Sequence, residues 1–222
     1  MSLSPVGARY WTGISIASVF GANLGDFLSH DLHLGHIRGL PLLAAALSLI
    51  LILRRRSTAN RELFYWLAII VLRTAATNLG DLMTHDLRIA SGWVMGAAIL
   101  LLLRNMRRTT IQLDGLYWSG MLLAGIFGTA LGDAVSGRFG VGEASIMLTV
   151  GVAALFRFRT HAAVGVGFCW IIIMAIRTAG TSVADFCAGS VGLEASTLCT
   201  GLMLVGTLSL WTGKPIATLH PA

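Results

Sequence analysis

Two near-identical segments carry the strongest chemical signal in this 222-residue chain. They are Asp26-x-x-x-His30-Asp31 and Asp81-x-x-x-His85-Asp86, within Ser29-His30-Asp31-Leu32 and Thr84-His85-Asp86-Leu87. An Asp and a His four residues apart share one face of a helix. Two such helices offer four nitrogen and oxygen ligands, a set that suits Zn²⁺, Mn²⁺, Ni²⁺ or Fe²⁺. Asp26, His30, Asp81 and His85 are therefore the candidate metal residues, and His33 and His36 add imidazoles nearby. The plainer reading of His30 and His85 is a pair of wetted side chains at helix ends.

The Asp residues of these segments belong to a longer pattern. Trp11, Trp66, Trp118 and Trp170 are 55, 52 and 52 residues apart, and fifteen residues after each stands an Asp: Asp26, Asp81, Asp133 and Asp185. The residue before each Trp is Tyr10, Tyr65, Tyr117 or Cys169. The chain has only seven Asp, so four matches at one offset mark an internal repeat. Seven residues after the Trp, units 2 and 4 carry Arg73-Thr74-Ala75 and Arg177-Thr178-Ala179, where units 1 and 3 have Ser18 and Gly125. Units 1 and 3 share Phe20-Gly21 and Phe127-Gly128. The four units therefore read as a duplicated pair of pairs. Units 3 and 4 have Gly137 and Gly189 at the His position, so the metal set belongs to the first half.

Composition decides what must hold these residues. The chain is 55% hydrophobic and 12% charged, with mean hydropathy +0.78. A soluble domain carries about a quarter charged residues, so the solvent here is lipid. With roughly 20 residues per span, eight helices occupy the chain, in units of about 10–54, 64–104, 115–157 and 164–212. The fold class expected is an all-α membrane protein with eight transmembrane helices, arranged as four parallel two-helix repeats around a pseudo-symmetry axis along the membrane normal. The first helices are expected near 10–29, 64–84, 115–135 and 164–186, the second near 37–53, 89–103, 142–156 and 193–211. Met1–Arg9 lacks a basic stretch followed by a small-residue cleavage site, so no removable signal peptide is expected. Cys169, Cys187 and Cys199 lie in apolar stretches without CxxC spacing and read as small hydrophobes.

On the repeated Trp positions, the chain from about Tyr10 to Trp211 resembles a bacterial family of integral membrane proteins described by four tandem copies of a repeat of unknown function. Each copy in that family has two spans and a characteristic Trp. The resemblance implies the architecture and brings no reaction or site residues.

The basic residues sort by loop. Eleven lie in the termini and the connections between units (Arg9, Arg54, Arg55, Arg56, Arg61, Arg104, Arg107, Arg108, Arg157, Arg159, Lys214), against Arg38, Arg88 and Arg138 inside units. The positive-inside rule puts both termini in the cytoplasm of a bacterial inner membrane. The Trp residues then fall near the inner interface, and the Asp residues about 22 Å further out at 1.5 Å per residue. Arg73, Arg177, Asp133 and Asp185 form an intramembrane charge network with Asp26 and Asp81. A charge at the bilayer centre costs roughly 3 kcal/mol or more without a partner, so these groups must face the protein interior. Two Arg cannot pair with four Asp. Glu143 and Glu194 begin second helices, where the helix dipole favours an acid.

Three functions fit. The first is a small-solute transporter, of a divalent metal or coupled to protons, with a small cation or proton as partner. The second is a membrane-embedded enzyme or redox protein holding a metal or haem at the outer His/Asp cluster. The third is a structural or regulatory membrane module in which the charges act as glue. No GxGxxG, P-loop, GxSxG or HExxH motif supports nucleotide chemistry or standard hydrolysis. The formal charge of +6 is read through topology, not nucleic acid, and oligomeric state is not encoded in these patterns.

Overall fold

The computed structural model describes residues 7–56, 61–109, 111–159 and 165–210. His161, Trp211, Lys214 and His220 lie outside the described residues. Among those described, the chain forms eight α-helices and no strand. These are α1 (Ala8–Asp26), α2 (Gly35–Arg56), α3 (Arg61–Asp81), α4 (Ser91–Met106), α5 (Gly115–Phe139), α6 (Val141–Arg159), α7 (Val166–Val191) and α8 (Leu193–Leu210). Among the described residues six helical segments are long and apolar enough to cross a membrane: α2, α3 with the turn that follows it, α5, α6, α7 and α8. The helix α4 is apolar but shorter.

The first helices of the units form a closed ring. Helix α1 packs on α3, α3 on α5, α5 on α7, and α7 returns to α1. The second helices lie outside, each against the inner helix of the next unit: α2 on α3, α4 on α5, α6 on α7, and α8 back on α1. Their outward faces are strings of exposed apolar residues, among them Leu42, Leu49, Leu100, Ile146, Val150, Leu198 and Leu202. Such a surface suits lipid, where the helix satisfies its own backbone polar groups and no water is needed.

Small residues set the ring's diameter. Ten residues after the Trp stand Gly21, Ala76, Gly128 and Gly180. Each meets the residue seven after the Trp of the next unit: Gly21 lies against Arg73, Ala76 against Gly125, Gly128 against Arg177, and Gly180 against Ser18. One turn on, Gly25, Gly80 and Gly132 lie against Thr77, Thr129 and Thr181. Near the other end, Gly13 and Gly120 receive the indoles of Trp66 and Trp170. Small residues let membrane helices approach closely, and van der Waals contact then holds them. The four repeat tryptophans are buried in this core. The indoles of Trp66 and Trp170 fill the slots left by these glycines. Trp93, by contrast, is 78% exposed.

Outer helices dock through the residue twelve after the Trp. Asn23 Nδ2 donates to Ser196 Oγ of α8 at 2.7 Å. The Ser145 hydroxyl of α6 donates to the Ser182 carbonyl at 2.7 Å. Cys169 is buried, whereas Cys199 is exposed on α8.

The connection before α5 is pinned outside the membrane-spanning helices. Arg108 Nη2 donates to Asp114 Oδ2 at 2.7 Å, and the Tyr117 backbone N–H donates to Asp114 Oδ1 at 2.9 Å. Asp114 thus caps α5, and the Arg108 hydrogen bonds hold its carboxyl down to about 2. A depressed carboxyl stabilises above its unfolded value and loses that contribution as pH falls through the folded one. The cap is therefore expected to act fully above about pH 4 and to fade toward pH 2. Asp114→Ala is expected to cost ~0.5 kcal/mol at pH 7, the low end for an N-cap because solvent screens the exposed pair. Thermal midpoints of the two proteins should converge as pH approaches 2.

Candidate functional site

The inner helices present their charged residues to the ring axis in layers. At the Trp end lie the phenols of Tyr10, Tyr65 and Tyr117, one from each of three inner helices, with Cys169 at the corresponding position of the fourth. The Tyr65 hydroxyl lies 2.6 Å from that of Tyr117 and donates to that of Tyr10 at 3.5 Å. Each ring also meets the indole of the next unit: Tyr10 with Trp66, Tyr65 with Trp118, Tyr117 with Trp170.

Arg73 and Arg177, both wholly buried, occupy the middle. They stand at equivalent positions on α3 and α7, across the ring, but their heads diverge. Arg73 reaches toward the Asp end. Its Nε donates to the Ser18 carbonyl of α1 (3.2 Å), and Nη1 to Thr129 Oγ1 (2.9 Å) and the Gly125 carbonyl (3.4 Å) of α5. Its Nη2 donates to Thr181 Oγ1 (2.6 Å) and the Arg177 carbonyl (3.5 Å) of α7. One guanidinium therefore ties all three other inner helices to α3. Ser18 and Gly125, opposite the arginines in the sequence pattern, leave room for it and expose their carbonyls.

The four repeated Asp form the outer layer. Asp81 is buried, and Asp26, Asp133 and Asp185 are half-buried. Asp26 and Asp81 each lie within electrostatic range of Asp133, Asp185 and Arg73, and of each other or of their neighbours in the ring. Four carboxyls thus crowd around one guanidinium. All four residues expected in an intramembrane charge network, Arg73, Asp133, Arg177 and Asp185, line this axis, but only Arg73 sits among the carboxyls.

Beyond Asp26 and Asp81 the helices change pitch. Phe27–Asp31 and Leu82–Asp86 are π-helical turns, with Leu32 N–H donating to the Phe27 carbonyl (3.0 Å) and Leu87 N–H to the Leu82 carbonyl (2.8 Å). Such single wide turns are concentrated at functional sites. Units 3 and 4 lack them: α5 and α7 continue as α-helix to Gly140 and Gly192, whose φ values of +92° and +89° end the helix sharply. The sequence difference His30 and His85 against Gly137 and Gly189 thus accompanies a difference in helix geometry.

The π turn at the end of α3 carries His85 beside the next inner helix. Ligand atoms of Asp81, His85 and Asp133 all lie within 4.8 Å of one another. His85 Nε2 is 3.7 Å from Asp133 Oδ2, and His85 remains 62% exposed. Of the four candidate metal residues, the structure brings Asp81 and His85 into one group and supplies Asp133 as the third member. Asp26 acts on Asp81 electrostatically from the adjacent helix. His30 lies elsewhere, its ring edge-on to His36 with centroids 5.7 Å apart, and His36 Nδ1 pairs with Asp86 Oδ2 at 2.8 Å. The sequence pattern linked the two histidine-bearing units, whereas the ring sets the end of α3 beside the end of α5 in the next unit. Asp133 was legible as a repeat position; its partnership with His85 required the order of helices around the ring.

Residues 9–60 match a family model described as a Repeat of Unknown Function (DUF347). No curated protein and no solved structure matches the chain.

Proposed function

We propose that this chain is a membrane transporter of a small cation, with a divalent metal ion as first candidate, and that Asp81, His85 and Asp133 are its entry site. The observation that carries the reading is the convergence of these three ligand-type side chains from α3 and α5 within 4.8 Å. Two carboxylates and an imidazole suit Zn²⁺, Mn²⁺, Ni²⁺ or Fe²⁺. The carboxyl ring beneath, with Asp26 and Asp185, holds more carboxyls than Arg73 can pair with, and these can take up a cation or a proton at the axis. Arg73 closes the route inward, so passage requires its head to leave the axis.

This reading takes the chain to cross the bilayer eight times, as four parallel units around an axis along the membrane normal. Repetition of one small-residue contact at the four interfaces of the ring supports it. Eleven basic residues in the termini and between units, against three within units, favour a bacterial inner membrane with both termini cytoplasmic. The Asp ring then faces outward.

One observation favours a structural reading for part of the network. The hydrogen bonds of Arg73 to three other helices make it a brace whatever the ring transports. No comparable observation pairs His30 with His85 for a haem.

Purified protein should melt later in the presence of a bound divalent cation. The gain at a hundredfold excess over Kd is about 2.7 kcal/mol. Asp81→Asn and His85→Ala together should abolish it, and should abolish cation uptake into proteoliposomes. Unchanged melting across Zn²⁺, Mn²⁺, Ni²⁺ and Fe²⁺, with no uptake, would sink the proposal.

A further inference from the structure

The second arginine of the ring has no use in the cation site. Arg177 is wholly buried, and its Nε, Nη1 and Nη2 have no hydrogen-bond partner among the described residues. A guanidinium carries five N–H donors and no acceptor. An unpaired charge in a low-dielectric interior is strongly disfavoured. Apart from Arg73, the groups that act on it electrostatically are the phenols of Tyr10, Tyr117 and Tyr65, not the four Asp. The acceptors at the level of the Thr hydroxyls, including the Arg177 carbonyl itself, are taken by Arg73. Two cations at one depth repel, and the Arg177 head shares none of the acceptors that Arg73 uses.

The polar groups at this end of the axis are therefore donors: the five unpartnered N–H groups of Arg177 and the hydroxyls of Tyr10, Tyr65 and Tyr117. Of the phenols, Tyr65 and Tyr117 are closely hydrogen-bonded and Tyr10 is only loosely engaged at 3.5 Å. A hydroxyl cluster of this kind can turn at least one O–H toward an added acceptor. We propose that this end of the ring axis binds a small monovalent anion, of halide size, held by the buried, unpartnered Arg177 head and the hydroxyls of Tyr10, Tyr65 and Tyr117. A single guanidinium calls for a single negative charge. The surrounding helices, packed through Gly120, Gly128 and Gly180, leave no room for a bulky organic anion. The site is distinct from the Asp81–His85–Asp133 cluster: it lies at the opposite end of the axis and has the opposite charge preference.

The probe is bromide. Purified protein is melted in sodium bromide, sodium chloride and sodium gluconate at constant sodium and constant ionic strength. A saturable rise of the midpoint with bromide and chloride, absent in gluconate, is expected. Arg177→Gln should remove the response. Tyr65→Phe should raise the half-saturating bromide concentration about tenfold, the effect of losing one hydrogen bond to a charged group. Crystals of the unmodified protein grown in bromide should show an anomalous peak within hydrogen-bond distance of the Arg177 guanidinium. That measurement decides the matter even where Arg177→Gln fails to fold. Identical melting in bromide and gluconate, a response that persists in Arg177→Gln, or no bromide peak at Arg177 would each overturn the proposal. The cation panel is run in gluconate with Arg177 intact, so failure of either site is read separately.

Discussion

Arg73→Met is expected to destabilise the protein by about 3–5 kcal/mol, the cost of removing one partner from a buried, fully engaged charge network. On a chain of this size that corresponds to a fall in thermal midpoint on the order of 10 °C. The loss has two sources. The carbonyls of Ser18, Gly125 and Arg177 and the hydroxyls of Thr129 and Thr181 lose a donor in the interior. The carboxyls of Asp26, Asp81 and Asp133 also lose the cation that lies in their field. Arg73→Lys should rescue little, because an ammonium cannot fork toward three helices at once. The decisive control is Arg177→Met in halide-free buffer. Arg177 is equally buried and occupies the equivalent place on α7, yet its head makes no hydrogen bond among the described residues. Replacing an unpartnered buried charge with an apolar side chain of similar length should be neutral or stabilising. Equal losses in the two variants would remove the assignment of Arg73 as the brace of the ring.

The second large effect lies in a glycine with no chemistry of its own. A Cβ at Gly128 would stand 2.5 Å from Arg177 Cβ, 2.7 Å from the Arg177 carbonyl carbon and 2.9 Å from the Thr178 nitrogen. Two of these atoms are backbone and cannot turn aside, so Gly128→Ala must push α5 and α7 apart. Overpacking of this kind costs typically 1–3 kcal/mol, and here it also loosens the seat of Arg177. Gly151→Ala and Gly206→Ala are the matched controls, since nothing lies within 4 Å of either added Cβ. They should be neutral or gain up to ~1 kcal/mol, because alanine loses less backbone entropy on ordering. Thermal midpoints of the three variants test this directly. A Gly128→Ala protein as stable as Gly151→Ala would mean that the ring is not held at this spacing.

Much of this organisation was legible in the residues. The Trp-to-Asp spacing located four inner helices, and low charge with long apolar runs pointed to a helical protein with several helices apolar enough to cross a membrane. The alternation of Arg73 and Arg177 with Ser18 and Gly125 reflects a volume constraint: two long cations share one axis, so the other two positions must be small. Phe20-Gly21 and Phe127-Gly128 were visible as shared pairs, and the glycines are the seats of Arg73 and Arg177 on the following helix. That meaning was hidden because a contact between units leaves no mark in the spacing within a unit.

What the sequence determined by itself was periodic: the recurrence of Trp and Asp at one spacing, the residue types on the inner helices, and the distinction between the histidine-bearing first half and the glycine-bearing second. Only the tertiary structure decided which of these residues meet. Asp81 and His85 found Asp133, not Asp26 and His30, because each unit packs against the next and a π turn carries His85 across that boundary. Arg73 and Arg177, equivalent by spacing, became unlike because like charges at one depth repel and one set of acceptors cannot serve both. Repetition along the chain is a one-dimensional property. The closure of a ring is not, and it is closure that brought Asp81, His85 and Asp133 together at one end of the axis, away from the phenols of Tyr10, Tyr65 and Tyr117.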